Sequence, residues 1–437
     1  MFSLDNNTLE SILEKAKRKA QSVEVFALDA EELEISFDAG KLKNADRKKQ
    51  SGFALRVIFD GALGFSSTTD PARIDDLVDS AIAAARCAKK VDYEFAPHVE
   101  IKTVEIFDKA VADFSPEDAI REGRYAVESM GDAYSKGLVY AKFGSNISRV
   151  RILNSAGCDV SYKMTGFMQD IMLNIVEGDS ILWIDDGHYS SDLSLKTDEY
   201  VASIADRATK AETTAPKVSG KMPVIFPANQ LPKLLEGIDL AVNGLNMLKG
   251  QSPLIGKVGE KLLGSVSLTD DPFIKYAIGS RPFDAEGSPS QKNELFADGV
   301  FKNFLYDIDT AASAGQTTTA SAARSSLAPP HVGKSNIVMS TGNSSFDEMI
   351  AQTERGVILY NAIGGGQSNM LAGDFSMNAA LGFLIENGVI VGRLTDTMIS
   401  GNIYEAFSEI QALGRESKMV GSYCVPDVMF ANVSVSG

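Results

Sequence analysis

The stretch TERGVILYNAIGGGQSNMLAGDFSMNAALGFLIENGVIVGRLTDTMISGN, residues 353–402, holds the densest glycine punctuation of the chain and its longest near-continuous apolar segment. Within it, ALGFLIENGVIVGRL (380–394) sets two apolar, β-branched runs on either side of Asn387-Gly388, the dipeptide that a two-residue type I′ turn prefers. The spacing predicts a buried hairpin. Upstream stand Gly364-Gly365-Gly366 and then Gly373-Asp374-Phe375-Ser376. Absent β-carbons there permit positive φ, or the close approach of another backbone or a ligand.

Taken in order, GGG, then GDFS, then GFLIENG and ISGN resemble the C-terminal signature of the TldD/PmbA family, the so-called modulators of DNA gyrase, which are classed with metallopeptidases. PFDAEG at 282–287, SFDEMI at 345–350 and the closing VSVSG agree with it. The resemblance covers the C-terminal half strongly and the N-terminal half through general pattern and length. It lies nearer to the PmbA (TldE) branch than to TldD. It implies proteolysis of unfolded peptides by a metallopeptidase in which a TldD-like partner supplies zinc.

Composition bounds the rest. At 437 residues the chain exceeds one ordinary core, so two domains are expected, 1–215 and 216–437, with two cores joined in the polar stretch TTAPKVSGK. Hydrophobic residues at 44% and charged residues at 23% are those of a soluble globular protein. The opening residues alternate acidic and basic groups without an apolar core, and no apolar run reaches the roughly 18 residues of a membrane helix, so a cytoplasmic location and no membrane contact are expected. Cys87, Cys158 and Cys424 are too few and too dispersed for a disulfide framework. The formal charge of −16, without any basic stripe, speaks against direct binding of nucleic acid.

Periodicity along the chain predicts an α+β fold: an N-terminal α/β domain with an antiparallel meander and long helices, followed by a β-rich C-terminal domain with hairpins. A helix is expected over 8–21, strands over 22–68 with a turn at Asp60-Gly61, helices opened by Asp70-Pro71 (to residue 90) and by Ser115-Pro116, and strands again over 138–191. Lysines and arginines over 41–50 fit a solvated strand edge. Asp185-Asp186-Gly187-His188 reads as an acidic turn tip. Helices are expected over 197–212 and 230–248, and a further hairpin through Asp298-Gly299. The small, polar segment 309–335 lacks periodicity and reads as a mobile or substrate-lining loop.

Sites follow from the same pass. In the TldD branch the helix matching 230–248 carries HExxxH, two zinc-binding histidines with a glutamate as general base. This chain has EGIDLAVNGL there, and its histidines, His98, His188 and His331, are far apart. No cofactor is therefore expected in this chain, and zinc is expected in a TldD-like HExxxH subunit paired with it as a heterodimer; pairing with itself as a homodimer is the other arrangement. Glu236 and Asp239 lie three apart on one helical face, as a carboxylate pair or as a solvated face. Asp284 and Glu286 lie two apart, as an oxygen site for a hard cation or as acids accepting backbone N–H groups. Ser325 or Ser326 near His331 lacks the G-x-S-x-G elbow of a serine hydrolase. The residues expected to shape a peptide cleft are Gly364, Gly365, Gly366, Gly373, Asp374, Phe375, Glu386 and Asn387, with Asp284 and Glu286 beside them. No catalytic residue is nominated. The alternatives are an autonomous hydrolase with ligands such as Asp284, Glu286 and His331, and a non-enzymatic adaptor homodimer.

Overall fold

In SVEVFALDAEELEISFD a continuous apolar run, Val25 to Leu28, gives way to Leu33, Ile35 and Phe37 on every second position, the period of a pleated strand. The structure, a computed structural model, describes residues 6–178, 180–364 and 368–437. Six long strands, β1 (Ser22–Asp38), β2 (Lys41–Phe59), β3 (Ala62–Thr68), β4 (Leu138–Asn154), β5 (Asp159–Glu177) and β6 (Ser180–Ser190), make one antiparallel sheet in the order β3-β2-β1-β4-β5-β6. Around it run α1 (Asn6–Lys17), α2 (Ile74–Ala85), α3 (Lys109–Ala112), α4 (Pro116–Ala133) and α5 (Thr197–Ala211). Helix α4 starts on a reciprocal cap, Ser115 with Asp118, a device that contributes about 1 kcal/mol.

Two expectations fail here for local reasons. The helix expected over 71–90 is a 3₁₀ turn at Pro71–Arg73 followed by α2, which ends at Ala85. Asp185, Asp186 and His188 lie inside β6 rather than at a tip, because the hairpin turns earlier, at Gly178 (φ 58°).

Behind the linker follow β7 (Ser219–Phe226), α6 (Leu231–Val242), α7 (Gly244–Leu248), β8 (Leu268–Asp270), β9 (Asn293–Ala297), β10 (Val300–Phe301), α8 (Ile308–Ala314), β11 (Ala322–Ala323), β12 (His331–Val332) and β13 (Ile337–Met339). Then come α9 (Phe346–Ala351), β14 (Arg355–Gly364), β15 (Asp374–Glu386), β16 (Val389–Leu394), β17 (Met398–Asn402), α10 (Ile403–Ser408), β18 (Ile410–Val420) and β19 (Tyr423–Ser436). Strand β7 pairs with β14 on one side and β19 on the other, so β7, β14, β15, β17 and β19 close into a ring. Phe226, Phe375 and Phe430 fill it edge to face, with centroids 6.5 Å and 5.5 Å from Phe226. The β15–β16 hairpin turns at Asn387 (φ 50°) and Gly388 (φ 76°), both left-handed as a type I′ turn requires.

Each half keeps a cluster of its own, with Val25, Leu55, Val57 and Leu77 in the first and Val224, Leu234, Phe301 and Phe430 in the second, and two further clusters bridge them. Leu33, Phe143, Ile171 and Ile184 of the first sheet share one cluster with Ile225, Ile358, Phe383 and Met429 of the second, with α4 and α5 contributing Ala126 and Ile204. Phe26, Ile152 and Val160 likewise meet Phe283 and Leu327. The segment expected to be a loop is also packed. It contains α8 and the β11–β12 pair, and Thr310, Thr319 and Ser321 are buried. Its hydroxyls bond backbone groups, Thr319 Oγ1 accepting from Tyr306 N at 2.7 Å for example, so order comes from side-chain-to-backbone bonds that leave no apolar period.

Candidate functional site

Helix α6 takes its place through a buried stripe, Leu231, Leu234, Leu235, Ile238, Ala241 and Val242. Asn243 adopts extended backbone and caps α7 with its side chain, so the single helix expected over 230–248 is two. Gly237 faces the turn before β15, where a β-carbon would stand 2.7 Å from the Met370 carbonyl oxygen. That turn is the glycine signature. Gly373 holds φ 91°, and a β-carbon on it would meet the Tyr404 ring at 2.9 Å. Asp374 and Phe375 pair across β15–β17 with Asn402 and Gly401, so GDFS and ISGN are facing parts of one construction. Asn402 Nδ2 donates to Asp374 Oδ1 at 2.9 Å, and Gly401 leaves room for the buried Phe375 ring, to which a β-carbon would come within 2.8 Å. These residues seat α6.

On the outer face of α6 the two carboxylates diverge in environment. Glu236 is exposed, whereas the Asp239 side chain is 19% exposed. The Tyr423 hydroxyl donates to Asp239 Oδ2 at 2.5 Å, and Lys334 Nζ lies 3.6 Å from the same oxygen. Lys334 also sits 3.7 Å over the Tyr423 ring and donates to Ser422 Oγ at 2.7 Å. Burial pushes the Asp239 carboxyl up to about 6, against the opposing pull of Lys334 and Tyr423. Burial also lowers Lys334, against the pull of Asp239 and Asp270. The result is an acid, a phenol and an ammonium group closed on one another, not the solvated face or carboxylate pair the spacing offered. Lys334 and Tyr423 carried no sequence signal, since they stand 95 and 184 residues from Asp239.

PFDAEG is committed elsewhere. Asp284 Oδ1 accepts from the backbone N–H groups of Glu286 and Ser288, and its Oδ2 from Ala322, at 2.9–3.1 Å. Glu286 pairs with Arg56 Nη1 at 2.6 Å and accepts from Ile308 N at 2.8 Å. Arg56 grips Glu24, its cross-strand neighbour, through Nε and Nη2, and Arg324 Nη2 reaches the same Glu24 at 2.5 Å. Burial raises the Glu286 carboxyl above its ordinary range, while Arg56 restrains it. Two acids and two guanidinium groups thus lock the first sheet to the second half of the chain.

The remaining candidates have structural places. Gly364 ends β14 at φ 101°; Gly365 and Gly366 lie outside the described residues. Glu386 faces Arg355 at 3.7 Å beside the turn residue Asn387. His98, in the connection between α2 and α3, and His331, on β12, are exposed, and His188 Nδ1 lies 2.9 Å from the Tyr200 hydroxyl. Catalytic zinc takes about three protein ligands. Among the described residues no three His, Cys, Asp or Glu side chains gather to offer them, so the donor set here does not fit zinc.

The arrangement is a six-stranded sheet locked to a closed β-ring that carries a glycine-seated helix. PmbA/TldA metallopeptidase C-terminal domain is the family description that matches residues 219–437, and PmbA/TldA metallopeptidase domain 1 matches residues 23–85. The chain belongs to the TldD/PmbA family. Metalloprotease PmbA of Escherichia coli O157:H7 is 25% identical over 97% of this chain and 95% of its own length. An uncharacterised protein of Methanocaldococcus jannaschii is 27% identical over 97% and 98%. The crystal structure of TldE from Thermococcus kodakarensis shares the fold, with a TM-score of 0.92 at 22% identity, covering 98% of this chain and all of that one.

Proposed function

We propose that this chain is the PmbA/TldE-like subunit of a TldD/TldE-type metallopeptidase that degrades unfolded peptides in the cytoplasm, and that it supplies no zinc site of its own. The observation that carries this reading is the face of α6. On the helix where the resemblance puts zinc-binding histidines and a general base in the TldD branch, the one half-buried acid, Asp239, is held by Tyr423 and Lys334. A metal-bound water needs ligands with an open coordination position, and an acid closed by a phenol and an ammonium group offers neither. An autonomous hydrolase using Asp284, Glu286 and His331 is disfavoured, because the two acids are buried and bonded while His331 is exposed on β12.

The test is metal analysis of the purified chain, with an assay on unfolded peptides before and after adding an HExxxH-bearing partner. Activity and zinc that arrive only with the partner support the subunit reading. Stoichiometric zinc in this chain alone, with chelator-sensitive cleavage, would overturn it. A homodimer that recruits no such partner and leaves peptides intact would favour the adaptor instead.

A further inference from the structure

Helices α4 and α5 pack on one side of the first sheet, against Phe143, Ile171 and Ile184. The other side is covered by Phe283 and Leu327 where it holds Phe26, Ile152 and Val160. Beyond that end, β4, β5 and β6 present three cross-strand rows on the same side: Gly144, Met168 and Tyr189, then Lys142, Asp170 and Gly187, then Tyr140, Met172 and Asp185. Trp183, two residues before Asp185, extends the last row, with its ring 5.2 Å from that of Tyr140. Tyr140, Met168, Met172, Trp183 and Tyr189 belong to none of the apolar cores, and Tyr189 is 41% exposed.

The charge of this face is one-sided. Glu32, Glu34, Asp46, Asp170 and Asp185 stand on it against Lys48 and Lys142. Lys142 turns to Glu34 at 2.8 Å, and Lys48 lies opposite Glu32. Asn361 Nδ2 donates to Asp185 Oδ1 at 3.2 Å, while Lys233 of the neighbouring α6 is bonded to the Ala362 carbonyl oxygen at 2.7 Å. Asp170 remains without a hydrogen bond or ion pair among the described residues, and its carboxylate lies beside Gly187, where a β-carbon would come within 2.7 Å of Oδ1. Burial, and then Asp185, push this carboxyl up to about 6 against the pull of Lys142, so it is ionised at neutral pH. The acids are too dispersed for one metal ion, since no three gather among the described residues. An apolar face with surplus acids is complementary to cations carried on aliphatic stems.

We infer that this face binds an extended peptide through a lysine or arginine side chain, with the cation at Asp170 and the stem on Met168 and Met172 beside Trp183. Unbranched thioethers adapt to stems of different shape, and ring faces attract a cation, so the face selects charge and tolerates sequence. This deepens the peptidase-subunit reading and rests on it for the choice of a peptide over a small polyamine. It adds a preference for basic segments, held on the sheet of this chain rather than at the zinc of a partner.

Trp183 is the chain's only tryptophan, so its emission reports occupancy of this face. The test titrates the full chain, without any partner, with an acetylated and amidated unstructured peptide that lacks tryptophan and carries one central lysine, and with the same peptide carrying glutamine there. The lysine peptide is expected to bind on the order of tenfold more tightly, the size of one charge-assisted hydrogen bond. Asp170→Asn keeps the shape of the side chain, removes a half-buried charge, and should erase that difference. Added salt should narrow it in the native chain. Equal binding of the two peptides, a Trp183 emission that neither peptide changes, a lysine preference that survives in Asp170→Asn, or spermidine binding as tightly as the lysine peptide would overturn the inference. None of these results bears on zinc or on partner-dependent cleavage, so the two readings fail separately.

Discussion

Arg56 of β2 and Glu286 of the PFDAEG loop, 230 residues apart, meet at 2.6 Å with side chains only 3% and 1% exposed. Their bond joins the outer sheet of the N-terminal half to the loop that leads into β9. Because Arg56 also holds Glu24 with two nitrogens, one cation neutralises two buried acids from opposite halves. Removing one partner of a buried pair leaves a charge without water or counter-ion, which costs more than the pair is worth.

Arg56→Gln is therefore expected to lower stability by about 3–5 kcal/mol in urea unfolding. Arg56→Gln with Glu286→Gln should lose less than the single change plus the Glu286→Gln change, because Glu24 keeps Arg324 and no acid is left alone. A cycle that sums without coupling would show that the quartet does not hold the halves together.

Gly373→Ala should cost about 1–3 kcal/mol, since an L-residue at φ 91° is strained and the new methyl would also meet Tyr404. Truncation to Tyr404→Ala in the same chain should recover the steric part and not the backbone part. Thermal unfolding of the single and double variants measures both. An unchanged midpoint in Gly373→Ala would mean that the signature turn does not seat α6.

Elements written in short-range pattern were legible in the sequence: the Asn387-Gly388 hairpin, the Ser115 cap of α4, the long alternating strands. The glycine signature was legible as a motif but not as a construction, because the pairing of Asp374 with Asn402 depends on a register set by β17. The site resisted reading for the same reason. Asp239 is an ordinary helical acid until Tyr423, on the last strand, closes over it. Asp284 and Glu286 were visible as a close pair, and both possible uses were visible too; only Arg56, contributed by β2, decides between a cation site and an ion-paired lock. The order within segment 309–335 was not legible because hydroxyl-to-backbone bonds hold it without leaving a hydrophobic period.

Duplex DNA is expected not to bind at physiological salt. Nonspecific affinity depends on lysines and arginines that displace counter-ions from phosphates. This chain carries a net charge of −16, and the cations over 41–50 are partly spent on Glu31, which pairs with Arg47 and Lys49. A gel shift showing tight binding that weakens steeply with salt would contradict this.

Asp239 gives the chain a titration that can be read. An unfolded aspartate titrates near about 4, whereas burial on α6 pushes this carboxyl up to about 6. The folded state therefore binds the extra proton between those values, and the stability tied to the protonated acid is complete below the unfolded value and is lost as pH rises through about 6. Asp239→Asn imitates the protonated form and keeps an acceptor for the Tyr423 hydroxyl. Its stability relative to the native chain should be near zero at about pH 4 and should climb to roughly 1–3 kcal/mol by neutrality. Urea unfolding at four or five pH values gives the curve, and carbon-detected NMR of the Asp239 carboxyl gives the midpoint. A stability difference that does not change with pH would mean that the carboxyl is solvated, and with it the closed Asp239–Tyr423–Lys334 arrangement would be wrong.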